Sequence, residues 1–361
     1  MATSLTTLLQ TSAPIGYTGS TGYTGSTGYT GSQGVIGYTG SLPTAPGNTK
    51  EVLYNNAGGY AAATNVEIDN GDLTLAINNA TVAPPIDYVK LFGKKVAGRM
   101  FPAMVGPSNM DAVLQPSVWR QKVGWWNPPG NATTAPGVTG FTAFTAQGTA
   151  TARNVATTNL MSSTRRLGYL STATAGNITG VYNTVAQHTI STGAGLGGFF
   201  FSCRFAYSDA TTVAGARSFV GLSSSVAAAT NVEPSSLTNS IGVAQLSTSS
   251  TQLYIVYGGS AAQATIPLGT NFPPVTAAGA TNGVVYDFSL FSPPNTANTV
   301  YYRLERVGTA FVAEGTLTAA TAGTQLPLST TLMAPRGWRT NNATGAAVGI
   351  DFINFYIETD F

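Results

Sequence analysis

The stretch VYYRLERVGTAFVAEGTL, Val300 to Leu317, decides how this chain is read. Val300, Tyr302 and Leu304 alternate with Tyr301, Arg303 and Glu305, and a second alternating run follows from Ala310. A period of two puts successive side chains on opposite faces of a strand, and Gly308-Thr309 between the runs predicts an antiparallel hairpin with a two-residue turn. Runs of the same kind recur at Phe199–Phe205, Leu253–Tyr257, Val284–Phe291, Ala310–Leu317 and Val348–Glu358, separated by Gly, Asn, Pro and Thr. With no sustained helical period, residues 141–361 read as a jelly-roll-like β-sandwich head in an all-β protein, its last strand tied into a sheet.

Composition agrees. Of 361 residues only 8% are charged, against about 25% in ordinary soluble domains, while 43% are apolar and 16 Phe, 16 Tyr and 4 Trp are available for a core. These values exclude a charge-rich helical protein and ordinary disorder. A net charge of +2 provides no electrostatic footprint for nucleic acid. A single cysteine, Cys203, and a single histidine, His188, exclude an intrachain disulfide and the usual zinc spacings, so no metal or cofactor is expected. The first residues lack a basic and then apolar leader, and no run reaches 18 apolar residues, so synthesis in a cytoplasm without membrane insertion is expected.

Working toward the N-terminus, residues 86–140 differ from the head. Lys90, Lys94, Lys95 and Arg99 cluster there, and Ser108-Asn109-Met110-Asp111 has the form of a capping box, which predicts a collar with short helices. The basic cluster reads either as an anion site or as a solvated or intersubunit face. Residues 43–85 read as a linker and short β stalk. Val66 and Ile68 alternate with Glu67 and Asp69, Asn70-Gly71 supplies a turn, and Leu73, Leu75 and Ile77 continue on the return strand. The acidic turn lacks the remaining ligands of a calcium loop. One such hairpin buries too little apolar area to stand alone, so it is expected to intertwine with copies of itself.

Further out, Gly16, Gly19, Gly22, Gly25, Gly28, Gly31, Gly34, Gly37 and Gly40 occupy every third position without a miss. In a triple helix only glycine fits at the crowded axis, which makes the period steric. A hexapeptide solenoid or a Gly/Ser linker competes, because Tyr17, Tyr23 and Tyr29 also recur every six residues. Tyr38 then arrives nine residues after Tyr29 while the glycine phase holds, so the triplet is the fundamental unit. Residues 16–42 therefore read as a collagen-like triple helix, a rod on the order of 80 Å at about 3 Å per residue. Without internal proline so short a rod is weak, and the C-terminal parts are expected to hold a homotrimer together. Residues 1–15, with Leu5, Leu8 and Leu9, read as an attachment segment, a docking helix or a flexible tail.

The GYTGS triplets, EVLYNNAG (Glu51 to Gly58), GRMFPAMVGPSNMDAVLQP (Gly98 to Pro116), WWNPPGN (Trp125 to Asn131), GTATARNVATTNL (Gly148 to Leu160), AGLGGFF (Ala194 to Phe200), NVEPSSLTNSIGV (Asn231 to Val243) and YIETDF (Tyr356 to Phe361) resemble tail-fibre and related virion fibre proteins of tailed bacteriophages. The resemblance implies a trimeric virion component that is attached to other virion proteins and displays a head binding a host glycan or protein. It carries over no catalytic residue and leaves open a tail fibre, a capsid fibre or decoration protein, and a depolymerising tail spike.

Glycan recognition needs exposed aromatic faces beside planar polar groups. Trp338 with Arg336 and Arg339, and Trp125-Trp126, are the candidates, with core packing as the competing use of each. A depolymerase would need two facing carboxylates, drawn in the head from Asp209, Glu233, Asp287, Glu305, Glu314 and Asp351, which sequence cannot pair. His188 has no nucleophile elbow near it. Gly193 to Gly198 precedes a strand instead of a helix and reads as a turn, and Cys203 reads as a small buried hydrophobe.

Overall fold

The computed structural model describes residues 51–56, 59–69, 72–77, 84–85, 88–106, 111–113, 123–133, 138–275 and 284–359. The attachment segment and all nine triplet glycines lie outside these residues. Chain contacts divide the molecule at Thr64/Asn65. The described part of the first unit is β1 (Glu51–Asn56) and the start of β2 (Gly59–Asp69). In the second unit the end of β2 pairs with β3 (Asp72–Leu75), with Asp69 opposite Asp72, Ile68 opposite Leu73 and Val66 opposite Leu75. That register is the hairpin expected around Asn70-Gly71.

Where a helical collar was expected, the described residues are strands. β4 (Lys90–Val96), β5 (Arg99–Val105) and β6 (Asp111–Val113) form a three-stranded sheet. Asp111, read as the end of a capping box, begins a strand. Burial with period two at Phe101, Ala103 and Val105 favours a strand over a helix. Val96 pairs with Arg99 across a two-residue turn in which Ala97 and Gly98 have φ of +47° and +77°, both left-handed as a tight hairpin demands. A Cβ at Gly98 would stand 2.6 Å from the Tyr301 ring, so glycine lets this turn lie against the sandwich.

The remaining elements are β7 (Val123–Trp126), β8 (Val138–Thr139), β9 (Phe144–Gln147), β10 (Thr149–Ala152), α1 (Leu160–Ser163), β11 (Leu167–Leu170), β12 (Ile178–Asn183), β13 (Phe199–Tyr207), β14 (Arg217–Ser223), β15 (Ser240–Gln245), β16 (Tyr254–Gly258), β17 (Ile266–Pro267), β18 (Val285–Ser292), β19 (Thr299–Arg306), β20 (Val312–Thr318), β21 (Ala334–Thr340) and β22 (Gly349–Glu358). They make an all-β, two-sheet antiparallel sandwich. One sheet has nine strands, in the order β10-β11-β22-β13-β18-β19-β20, with β7 added to β22 and β8 to β7; the other has seven, in the order β17-β16-β15-β14-β21-β12-β9. Because β7 and β8 belong to the sandwich, the sheet takes in strands before residue 141, the boundary expected from the pattern of alternating runs.

Between the sheets lie Phe201, Cys203, Phe205, Phe288, Leu304, Phe352 and Phe355 from one side and Val220, Leu222, Ile241, Val243 and Ile255 from the other. Cys203 is the buried small hydrophobe expected. Each large apolar side chain so buried contributes roughly 1.5–3 kcal/mol. A bulge in β22 breaks strict alternation: Arg204 faces Asn354 but Phe205 faces Phe352, which leaves Ile353 unpaired. Phe352 and Phe355 consequently both point inward, ring centroids 5.0 Å apart. Ile353 turns outward to Met161 of α1, whose start is capped by Asn159. The hairpin of Val300–Leu317 forms as β19–β20, but its connection is longer than expected. Arg306 N–H donates to Phe311 O at 3.0 Å and Thr309 N–H to Arg306 O at 3.2 Å, so residues 307–310 make a four-residue turn. Gly193, Gly195, Gly197 and Gly198 all have positive φ, in keeping with the turn expected there.

Candidate functional site

Strand β21, sequence APRGWRT, holds three of the five candidate ligand residues, and all of it is buried. Its outward face carries Arg336 and Trp338; segment 224–239 folds over that face. Trp338, 3% exposed, stacks with Phe219 at 6.5 Å beneath Ala229 and Leu237. Arg336 donates from both Nη atoms to the carbonyls of Ser225 and Ala227 at 3.0 Å, and burial pulls its pKa down to about 10. Gln147 latches the same segment, donating to Ala229 O at 2.7 Å and accepting from Ala229 N–H at 2.9 Å. The inward face carries Arg339, fully buried, whose Nε donates to Asp209 Oδ1 at 2.9 Å and Nη1 to Gln245 Oε1 at 2.7 Å, with the guanidinium 4.4 Å from the Tyr207 ring centre. The expectation that Trp338, Arg336 and Arg339 meet a ligand is thereby corrected. The Nη atoms of Arg336, the guanidinium of Arg339 and the ring of Trp338 are engaged inside the chain, where they pin a covering segment and neutralise a buried carboxylate; Arg336 Nε is buried without a hydrogen-bond partner.

The tryptophan pair splits. Trp126 faces inward, opposite Phe355, and packs edge-on to it at 5.7 Å. Trp125 faces outward, 48% exposed, opposite Tyr356 on one side and Thr139 on the other. Strand register extends this position into a row across the nine-stranded sheet: Trp125, Tyr356, Ser202, Ser289, Arg303, Glu314. A neighbouring row runs Asn354, Arg204, Asp287, Glu305. Arg204 grips Asp287 through both its Nε, at 2.6 Å, and Nη2. Arg303 donates to Glu305 and to Glu314, each at 3.1 Å. A third row, Glu358, Phe200, Phe291, Tyr301, is covered by the β4–β5 turn, where Arg99 pairs with Glu358 and lies 5.3 Å from the Phe200 ring centre. The first two rows thus align the exposed indole of Trp125 with hydroxyls and planar charged groups; Arg204 and Glu314 are partly exposed, whereas Ser289 and Arg303 are mostly buried. The signal for these rows was present in the period-two patterns, but the order of strands in the sheet was needed to align them.

The six candidate carboxylates of the head are held by arginine, two of them, Glu305 and Glu314, by the same one. Each meets arginine: Asp209 with Arg339, Glu233 with Arg217, Asp287 with Arg204, Glu305 and Glu314 with Arg303, and Asp351 with Arg153 and Arg166. His188 is buried beside Phe141, both ring nitrogens lack a hydrogen-bond partner, and burial lowers its pKa to about 4. Among the described residues no group of three or more His, Cys, Asp or Glu is placed to hold a metal ion, and no helix is long and apolar enough to cross a membrane.

No family model matches the chain, and no curated protein does. Among solved structures the chain is similar to peanut lectin in complex with a nine-residue peptide, at 13% identity over 66% of this chain and 98% of that one, TM-score 0.42. It is also similar to the carbohydrate recognition domain of Emp47p, at 6% identity over 68% and 100%, TM-score 0.41. A Shewanella oneidensis protein of unknown function matches at 9% identity over 68% and 95%, TM-score 0.39. At these identities no ligand, activity or partner transfers to this chain.

Proposed function

We propose that this chain is a structural virion fibre of a tailed bacteriophage: a homotrimer with residues 16–42 wound as a collagen-like rod, residues 1–15 attached to other virion proteins, and the β-sandwich head binding a host cell-surface glycan or protein. The observation that carries the reading is the glycine phase, unbroken from Gly16 to Gly40 while the tyrosine register slips. Three chains around one axis explain why each third residue has no side chain. The sequence blocks similar to phage fibre proteins support the same reading across the head. A tail fibre is the form we favour, with a capsid fibre or decoration protein as the alternative.

Receptor contact is assigned to the exposed positions of the Trp125 and Arg204 rows of the nine-stranded sheet, Trp125 first among them. Trp125 offers a ring face on which the apolar side of a sugar stacks, and Tyr356, Ser202 and the exposed Glu314 lie in line with it as polar groups. A role without catalysis is supported by the arginine partners of the six candidate carboxylates, because oxygens already accepting from guanidinium are not poised to deliver or take a proton.

Gold labelling of intact virions with an antibody against residues 86–361 tests the attachment: label at the tail is expected, and label over the capsid replaces the tail fibre with the capsid alternative. Purified chain incubated with host polysaccharide is expected to bind without releasing oligosaccharides; release would convert the reading to a depolymerising spike.

A further inference from the structure

We infer that a continuous apolar face running from the β2–β3 hairpin onto the β4–β5 hairpin is the surface through which copies of this chain pack against one another. The inference rests on the three-chain reading above and says which residues make the contact.

Exposed large hydrophobic side chains are not spread evenly. Among the described residues nineteen are exposed, and eight of these, Ile68, Leu73, Ile77, Tyr88, Val89, Leu91, Met100 and Met104, fall between positions 68 and 104. Single exposed apolar side chains are ordinary, but a contiguous group marks an interaction surface. Register makes this group contiguous. Ile68 lies opposite Leu73 and Val66 opposite Leu75, and alternation adds Ile77 to the face of Leu73 and Leu75. Ile77 then forms a parallel bridge with Gly93, whose N–H donates to Ala76 O at 3.3 Å, so the stripe passes directly to β4. On β4 and β5 the face of Gly93 carries Leu91 opposite Met104, Pro102 opposite Gly93, and Met100 opposite Lys95. Phe92, Phe101, Ala103 and Val105 point the other way and are buried within the chain, where Phe101 packs on Phe200 of the sandwich at 4.9 Å. The hairpin therefore has one satisfied apolar face and one left open, with Leu73 61% and Leu91 59% exposed.

A second copy is the occupant that fits. The stripe begins 26 residues after Gly40, the last triplet glycine. Three chains brought to one axis by the triplets hold their hairpins at high effective concentration beside identical hairpins, which turns a modest apolar face into a sufficient one. A closed threefold arrangement also covers each stripe with its own kind and leaves no sticky surface over. This supplies what the proline-free rod lacks, an assembly force on its C-terminal side.

The test uses the full chain. Sedimentation of the unaltered protein is expected to give three times the mass of one chain; a single-chain mass would sink the three-chain reading itself. L91K/M104K, with both changes on the open face, is expected to keep its circular dichroism spectrum and raise the concentration at which the trimer dissociates by about tenfold or more. L196K, at a residue 61% exposed elsewhere on the head, is expected to leave assembly unchanged. A trimeric L91K/M104K with unaltered dissociation would overturn the assigned face while leaving the trimer intact, and so would equal weakening by L196K. Should the double variant fail to fold, peroxide footprinting of the unaltered protein decides. Met100 and Met104 are expected to oxidise slowly in the trimer and quickly after dilution, whereas fast oxidation of both in the undiluted trimer would overturn the inference.

Discussion

The two outer faces of the sandwich carry similar chemistry and different fates. On the seven-stranded sheet Trp338 and Arg336 lie beneath segment 224–239; on the nine-stranded sheet Trp125 is 48% exposed and the Arg204 side chain 35% exposed. The arginine–carboxylate pairs repeat the contrast, since Arg339–Asp209 is enclosed and Arg204–Asp287 is about a third exposed. Residue type therefore says little about role here; what lies over the residue says more.

That contrast can be broken or sharpened experimentally, beginning with the largest effect. Arg339→Ala leaves Asp209 buried without its counter-ion and is expected to cost about 3–5 kcal/mol in urea unfolding. A loss below about 1 kcal/mol would mean that the pair is open to water. Trp338→Ala empties a ring-sized space under segment 224–239 and is expected to cost about 3 kcal/mol, with ligand binding unchanged at temperatures where the variant stays folded. Lost binding in a folded variant would return Trp338 to the receptor face.

Acid addresses a third buried group. His188 has a folded-state pKa of about 4, below its ordinary 6.5, because burial penalises the charged imidazolium. The unfolded chain then takes the proton more readily, so the contribution to stability is complete above pH 6.5, declines as pH falls between 6.5 and 4, and reaches a loss of about 3 kcal/mol below that window. Urea unfolding as a function of pH should show this decline, and H188Q should flatten it.

The open face is expected to respond weakly in stability and strongly in binding. Removing the Arg204–Asp287 pair by R204M/D287L should change unfolding free energy by about 1 kcal/mol or less, because water screens a pair at this exposure. Trp125→Ala should cost about 1 kcal/mol or less in stability, yet weaken adsorption of purified trimer to host cells by about tenfold or more. Full adsorption by this variant would remove the platform from the proposed function.

Much of the fold was legible because strands announce themselves locally. Runs read at Phe199–Phe205, Val284–Phe291 and Val348–Glu358 reappear as β13, β18 and β22 with ends shifted by a few residues. The misreadings also have local causes. Lysines and a capping-box pattern disguised β4 to β6, where the decisive cue was an Ala-Gly turn that alanine seldom occupies. The bulge at Ile353 was hidden because counting by twos cannot register an extra residue.

The candidate site was legible only in its kinds of residue. The sequence offered tryptophan at Trp338, with Arg336 and Arg339 beside it, and at Trp125-Trp126, and nothing local separates the buried rings from the exposed one. The period-two alternation and the period-three glycine phase were set by the sequence alone, because backbone sterics act between neighbouring residues and leave their mark in spacing. Which face of a strand ends in water was settled only by tertiary structure, because Arg336 is covered by Ser225 and Ala227 and Arg339 is neutralised by Asp209, partners more than a hundred positions away that only the folded chain brings within hydrogen-bond reach.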